Sequence, residues 1–221
     1  MDEELRILII DDDEVDRMAV RRSMRKAGIQ AVVHDADSIQ TARDLVHENT
    51  YDCVFLDYRL PGGDGLELLQ EFRQDGFTMP VIVVTSQGDE KVAVEVMKSG
   101  GSDYISKRLV NPEGISQILR NALRTHNAEV ERRRTEEALR SSEAMLAEAQ
   151  RIANIGSWEI DMGSGQRFWS DQVYYMMGYT NPQEVEADRD LFTTHIHPDF
   201  IPRCEASMLA CVQSRPIPWA R

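Results

Sequence analysis

The sequence is short of cysteine, of basic charge and of long hydrophobic runs. Three scattered cysteines (Cys53, Cys204 and Cys211) cannot form a disulfide framework, which favours a reducing, cytoplasmic setting. The 25 Lys and Arg against 38 Asp and Glu give a net charge of −13, which argues against binding to nucleic acid or to an anionic membrane. No apolar run reaches the length of a membrane span. The acidic start MDEELRILII is also unlike a signal peptide.

Short apolar runs alternate with amphipathic stretches over residues 1–125. The runs LRILII, AVVH, CVFL, VIVV and YI begin at Leu5, Ala31, Cys53, Val81 and Tyr104. Helical patterns follow each run, and the last one begins near Pro112, a residue favoured in the first turn of a helix. Strands that alternate with helices form parallel sheets covered by helices on both faces. The sequence therefore predicts an α/β fold with a doubly wound, five-stranded parallel sheet.

Polar residues follow four of the predicted strands. Asp11, Asp12 and Asp13 come after the first, Asp57 after the third, Thr85 and Ser86 after the fourth, and Ser106 and Lys107 after the fifth. The carboxyl ends of parallel strands meet at one edge of the sheet, where ligands bind. One Asp at a strand end is commonly a turn or cap residue, and three in a row can be a solvated loop. Compatible groups at four strand ends favour a site instead.

Clustered carboxylates, a lysine and a hydroxyl suit phosphoryl chemistry. Carboxylates that crowd together need a cation to stay ionised, and oxygen ligands of this kind suit Mg²⁺. A carboxylate beside Mg²⁺ is a competent nucleophile towards phosphorus and would form an aspartyl phosphate. Lys107 and Thr85 supply donors for the phosphate oxygens.

The motifs ILIIDDD, VFLDYRLPGGDG, VIVVTSQGD and GGSDYISK resemble the receiver domain of response regulators, which has a flavodoxin-like fold. The resemblance covers residues 1–125 and implies that Asp57 accepts the phosphoryl group. It further implies that Asp12 contacts Mg²⁺ directly and Asp11 through water, with the Arg59 backbone carbonyl as another ligand. The phosphoryl donor would be a histidine kinase or a phosphotransfer protein.

The same resemblance assigns the residues that bind phosphate and switch the domain. Lys107 would bind the phosphoryl group, and Thr85, with Ser86 beside it, would supply switch hydroxyls. Tyr104 would be the switch aromatic, although an ordinary strand residue is the alternative. Arg59 and Gln87, two residues beyond Asp57 and Thr85, would tune the lifetime of the phosphate. The domain itself would catalyse at most its own dephosphorylation.

Residues 126–153 form a charged stretch without Gly or Pro that predicts a helix. This helix would continue the last receiver helix, so that the two together occupy residues 112–153. An apolar seam predicts a parallel coiled-coil dimer, aided by the receiver face, through Leu119, Leu123, Val130, Leu139 and Leu146. The spacing between Val130 and Leu139 breaks the heptad, which indicates a register slip. A single solvated connector helix is the alternative.

Residues 154–221 resemble the first part of a PAS domain, an α+β fold. The resemblance rests on AQRIANIGSWE, which begins just before this segment, WSDQVYYMMGY and HPDF. Strands are expected at Trp158–Asp161 and Gln166–Trp169, and helices at Asp171–Met177 and in LACVQ. The segment is short for a PAS domain, so we expect a cut within the domain rather than a degenerate half-domain.

No PAS ligand or cofactor can be identified from this segment. Trp158, Trp169, Tyr174 and Phe192 fit core packing better than a ligand pocket. His195 and His197 resemble a metal pair, but the HP element fits a structural turn better.

Three functions remain open from the sequence. The first is a two-component response regulator that relays phosphorylation of Asp57 through a dimeric helix to a PAS module and a downstream output. The second is the regulatory part of a larger signalling enzyme, such as a cyclic-dinucleotide cyclase, a phosphodiesterase or a hybrid histidine kinase, although no signature of these occurs here. A phosphorylation-independent scaffold is disfavoured by the intact set of site residues.

Overall fold

The computed structural model describes residues 4–86, 90–161, 163–164, 166–181, 194–195, 197–203 and 206. Contacts between residues divide the chain into two compact units, Met1–Thr135 and Glu136–Arg221. Among the described residues, no helix is both long and apolar enough to span a membrane.

The first unit contains a five-stranded parallel sheet, as predicted. Its strands are β1 (Leu5–Ile10), β2 (Ala31–Ala36), β3 (Cys53–Asp57), β6 (Val81–Thr85) and β7 (Asp103–Ser106), in the order β2-β1-β3-β6-β7. The two-residue strands β4 (Arg59–Leu60) and β5 (Gly63–Asp64) form a separate antiparallel hairpin after β3. The helices are α1 (Glu14–Lys26), α2 (Ile39–Glu48), α3 (Gly65–Gln74), α4 (Glu90–Lys98) and α5 (Pro112–Ala153).

Helices cover both faces of the sheet and bury its strands on each side. Along β1, Leu8 and Ile10 belong to one core cluster and Ile7 and Ile9 to the other, because successive side chains of a strand point to opposite faces. Residues of α2, α3 and α4 complete the first cluster, and residues of α1 and α5 complete the second. The doubly wound arrangement of the prediction is confirmed.

Side-chain caps fix where three of the helices begin. Asp13 caps α1 by accepting a hydrogen bond from the Val15 N–H (2.8 Å), and Asp64 caps α3 by accepting one from the Leu66 N–H (2.9 Å). Ser38 caps α2 in the same way. Asp13 lies in the segment that follows β1, and Asp64 lies in the segment that follows β3.

The beginning of α5 packs on the sheet, which corrects part of the predicted dimer seam. Leu119 is only 2% exposed and lies with Ile115 and Ala122 in the core cluster that α1 and α5 complete, and Leu123 packs partly buried against the same cluster. Leu119 is therefore occupied within its own chain and cannot form a seam. Leu139 and Leu146, at 59% and 60% exposed, remain candidates.

The second unit contains the last part of α5, from Glu136 onwards, followed by an antiparallel hairpin and a short helix. Strands β8 (Trp158–Ile160) and β9 (Arg167–Trp169) pair so that Trp158 lies opposite Trp169, and α6 spans Asp171–Met176. These bounds agree with the predicted elements to within one residue. Tyr174 is 6% exposed, and its ring centroid lies 5.4 Å from that of Trp169. These two aromatic side chains pack together, as expected.

Other predicted features of this segment fall partly outside the described residues. His197 begins a 3₁₀ turn over Pro198–Phe200, and its Nδ1 accepts a hydrogen bond from the Asp199 N–H (3.4 Å). The turn expected at the HP element is thus present at His197. Phe192 and the LACVQ stretch lie outside the residues that the structure describes.

Candidate functional site

Three carboxylates meet at the carboxyl end of the sheet. Asp11 follows β1 and Asp57 ends the neighbouring strand β3, so the parallel pairing brings them side by side. Oxygen atoms of Asp11, Asp12 and Asp57 lie within 4.8 Å of one another. Asp11 and Asp57 are 4% and 6% exposed, whereas Asp12 is exposed. The acidic cluster predicted from the strand ends is therefore present.

Burial makes the two inner carboxylates hard to ionise. Burial, and then the charge of Asp11, raise the pKa of Asp57 to about 6, although Lys107 and the Arg59 N–H act in the opposite direction. Burial also raises the pKa of Asp11 above its ordinary value. Asp57 is consequently ionised at neutral pH, and a bound cation would lower the cost of its buried negative charge.

Lys107 donates hydrogen bonds into this cluster from the end of β7. Its Nζ lies 3.0 Å from Asp11 Oδ2, 3.1 Å from Asp57 Oδ1 and 2.5 Å from Asp16 Oδ2. Burial alone would lower the pKa of Lys107, but hydrogen bonds to Asp16, Asp11 and Asp57 raise it. Lys107 is thus a fixed positive charge beside Asp57.

A small cleft opens beside Asp57. It has a volume of about 90 Å³ and is lined by Asp57, Tyr58, Arg59, Thr85 and Ser86. Thr85 is 2% exposed at the end of β6, the strand next to β3. The structure therefore gathers four predicted site residues, Asp57, Arg59, Thr85 and Ser86, around one cleft.

Tyr104, predicted as the switch aromatic, is not among the described residues that line this cleft. Tyr104 pairs with Val83 across the strands β6 and β7 and packs half-buried against the core cluster that contains α2, α3 and α4. Its role as a switch stays a prediction. Gln87 lies outside the residues that the structure describes.

Comparison with known proteins identifies the family of this fold and site. The profile of the family described as "Response regulator receiver domain" matches residues 7–120. The chain belongs to this family. Its receiver is 33% identical over 125 residues to the "Transcriptional regulatory protein SrrA" of Staphylococcus aureus, covering 57% of this chain and 51% of the relative. The chain thus spans about half the length of the curated relatives it matches.

Solved receiver structures have the same fold. A putative response regulator from Chloroflexus aurantiacus is 29% identical, with a TM-score of 0.51, covering 55% of this chain and 98% of that one. The signal receiver domain of an HD domain-containing protein from Pseudomonas fluorescens Pf-5 is 25% identical, with a TM-score of 0.53, covering 60% and 96%. NtrX from Brucella abortus is 26% identical, with a TM-score of 0.53, covering 57% and 28%.

The acidic cluster of this receiver fits the Mg²⁺ that receivers generally bind. Hard oxygen donors from a few carboxylates match the preference of Mg²⁺, and Asp11, Asp12 and Asp57 provide them together. Burial and the neighbouring charge of Asp11 raise the pKa of Asp57, and a divalent cation would oppose both effects by stabilising the ionised carboxylate. The donor set therefore supports the predicted metal.

Sequence reasoning missed three residues of the site. Asp16 contacts Lys107 from α1, and Tyr58 lines the cleft while its hydroxyl donates to Glu95 Oε2 (3.0 Å) on α4. Gly65 lies against Asp57, since a Cβ at Gly65 would stand 2.2 Å from the Asp57 carbonyl oxygen. Asp16 lies in the first turn of α1, where acidic residues are common, so nothing in the sequence singles it out. The other two need the three-dimensional fold.

Proposed function

We propose that this receiver is a phosphoacceptor in which Asp57 takes a phosphoryl group from a histidine kinase or a phosphotransfer protein. The observation that carries the proposal is the convergence of Asp57 with Asp11, Asp12 and Lys107 at one edge of the sheet. Receivers of this family interact with such donors. With a pKa near 6, Asp57 is ionised at neutral pH, as a nucleophile must be.

The chemistry is an in-line displacement at phosphorus. An oxygen of Asp57 forms a bond to phosphorus while the nitrogen–phosphorus bond of the donor phosphohistidine breaks, and the bonding electron pair stays on the donor imidazole. Bound Mg²⁺, held by Asp11, Asp12 and Asp57 with the Arg59 carbonyl, would neutralise charge on the transferred group. Lys107 donates to the phosphoryl oxygens, and Thr85 lies across the cleft to do the same.

The consequence of phosphorylation follows from charge. An acyl phosphate adds about −1.5 to −2 charges and strong acceptor oxygens beside the cleft. Thr85 would move towards these acceptors and Tyr104 would turn inward behind it. The surface formed by α4, β7 and α5 would change as a result. Arg59 and Gln87 would set how long the phosphate persists.

Labelling with acetyl phosphate tests the phosphoacceptor role. Wild-type protein with acetyl phosphate and Mg²⁺ is expected to gain the mass of one phosphoryl group, and a chelator is expected to prevent it. Asp57→Ala should abolish the gain, whereas Asp44→Ala should not. Asp44 is a suitable control because it is an exposed aspartate on α2 that accepts a local hydrogen bond from Gln40. A phosphoryl group that survives Asp57→Ala would refute the assignment.

We further propose that α5 relays the change to a PAS-like module and an output beyond it. The support is the unbroken course of α5 over 42 residues, Pro112–Ala153, and the β8–β9 hairpin and α6 that follow at the predicted positions. The exposed Leu139 and Leu146 support a dimeric helix. The chain would act in the cytoplasm, without binding nucleic acid or membrane, and without catalysis beyond its own dephosphorylation. Regulation of a larger signalling enzyme is compatible with this relay.

A further inference from the structure

We propose that Asp16 is a positioning residue that anchors the Lys107 ammonium beside Asp57. The proposal rests on the phosphoacceptor function of Asp57 and adds a residue to it. Asp16 does not contact the reacting atoms, so its effect must pass through Lys107.

The contact between Asp16 and Lys107 is the shortest of the three that Lys107 makes with carboxylates. Lys107 Nζ lies 2.5 Å from Asp16 Oδ2, against 3.0 Å to Asp11 and 3.1 Å to Asp57. Asp16 and Lys107 are 91 residues apart in sequence and come from α1 and from the turn after β7. The contact thus links α1 to the turn after β7, which carries the Lys107 ammonium.

Helix capping does not account for the position of the Asp16 side chain. Asp16 is the third residue of α1 after its cap, where an acidic side chain often reaches back to the N–H of the capping residue. Here the N–H of the cap, Asp13, donates to Asp11 Oδ1 (2.9 Å), and Asp13 itself accepts from Val15. The Asp16 carboxylate is instead directed to Lys107.

Anchoring matters because lysine has a long and flexible side chain. An ammonium has three hydrogens, and in this site they face Asp11, Asp16 and Asp57. When Asp57 becomes an acyl phosphate, the bond to Asp57 can pass to a phosphoryl oxygen while Asp16 keeps the ammonium in place. Holding a group in its reacting position lowers the entropic cost of the transfer.

The test compares two variants that remove the same charge from the same turn of α1. Asp16→Ala and Glu14→Ala each remove one negative charge, but Glu14 is an exposed residue without a contact to Lys107 among the described interactions. The rate of phosphorylation by acetyl phosphate is measured at saturating Mg²⁺, so that metal affinity does not contribute. We expect Asp16→Ala to be about tenfold slower than Glu14→Ala, from the loss of one charge-assisted hydrogen bond. A difference of less than about threefold overturns the proposal.

A double variant separates positioning from a general loss of structure. In a Lys107→Ala background, Asp16→Ala should slow phosphorylation by less than about threefold, because Lys107 is the group through which Asp16 acts. If the tenfold loss persists without Lys107, Asp16 acts independently and the proposal is wrong. A loss of stability caused by Asp16→Ala would affect the single and the double variant alike. It therefore cannot by itself make the effect of Asp16→Ala depend on Lys107.

Failure of the two proposals would look different. If wild-type protein gains no phosphoryl group, the phosphoacceptor function fails. If wild type is labelled at Asp57 but Asp16→Ala and Glu14→Ala react at equal rates, only the role of Asp16 fails.

Discussion

Asp57 holds its charge at the expense of stability. Its carboxylate is buried next to Asp11, and its pKa is raised to about 6. The folded state therefore binds a proton more tightly than the unfolded chain, where an Asp titrates near 3.9. Stability is lost as the pH rises from about 4 through 6, and the full cost is present above pH 6. This loss of stability applies to the protein without a bound metal ion.

Asp57→Asn should consequently stabilise the metal-free protein at neutral pH. The pKa shift corresponds to about 3 kcal/mol. This value is an upper limit, so we expect the free energy of unfolding to rise by about 1–3 kcal/mol. Urea unfolding in a chelator at pH 7 and at about pH 4 measures this, and the gain should nearly vanish at the lower pH.

Mg²⁺ supplies the control for this prediction. Adding Mg²⁺ should stabilise wild type more than Asp57→Asn, because binding to the folded state raises stability by mass action. A variant that is less stable than wild type in chelator at pH 7 would show that the raised pKa does not reflect a cost of ionisation.

Gly65 lets the backbone of α3 approach Asp57. A Cβ at this position would lie 2.2 Å from the Asp57 carbonyl oxygen and 3.2 Å from that of Tyr58. These are backbone atoms, which cannot turn aside as a flexible side chain would. Gly65→Ala should therefore displace Asp57, lower the free energy of unfolding by about 1–3 kcal/mol and slow phosphorylation.

Glu67→Ala is the matched comparison for Gly65→Ala. It places alanine in the same first turn of α3, at an exposed position. Urea unfolding and acetyl-phosphate labelling of both variants decide the matter. Equal stability and equal rates for the two would mean that the backbone accommodates the extra carbon without moving Asp57.

At the scale of elements, the periodicity of apolar residues predicted where the helices and strands lie. It did not predict which surface each apolar face packs against. The five parallel strands, and Asp11, Asp57, Thr85 and Lys107 at their ends, follow from runs of apolar residues and from the polar residues that end them. On α5, Leu119 also fits a heptad seam, yet the sheet uses it together with Ile115 and Ala122. An apolar stripe on a helix can pack against the sheet of its own chain or against a second helix. Only the three-dimensional fold shows which of the two it contacts.

The missed contacts have the same origin. An acidic residue in the first turn of a helix is expected from the helix dipole alone, so Asp16 carried no special signal. Its partner Lys107 is distant in sequence, and the contact exists only because β7 ends beside the start of α1. The closeness of Gly65 to Asp57 is likewise a property of packing.

For the whole molecule, dimerisation through α5 is the prediction on which the proposed relay depends. Leu139 and Leu146 are 59% and 60% exposed and one heptad apart on the same face. Replacing both by Glu would put charge into a seam and should reduce the dimer fraction in sedimentation velocity. Ser141→Glu with Ala144→Glu adds the same charge on the opposite face and should leave the dimer intact.

Salt gives this prediction a second, independent readout. Each chain carries a net charge of −13, so two copies repel each other. Screening shortens the reach of this repulsion from about 30 Å at 0.01 M salt to about 8 Å at 0.15 M. A dimer held by an apolar seam should therefore strengthen as salt is raised, whereas one held by ion pairs between copies would weaken. If the two pairs of substitutions shift the dimer fraction equally, Leu139 and Leu146 do not form a seam, and α5 is a solvated connector.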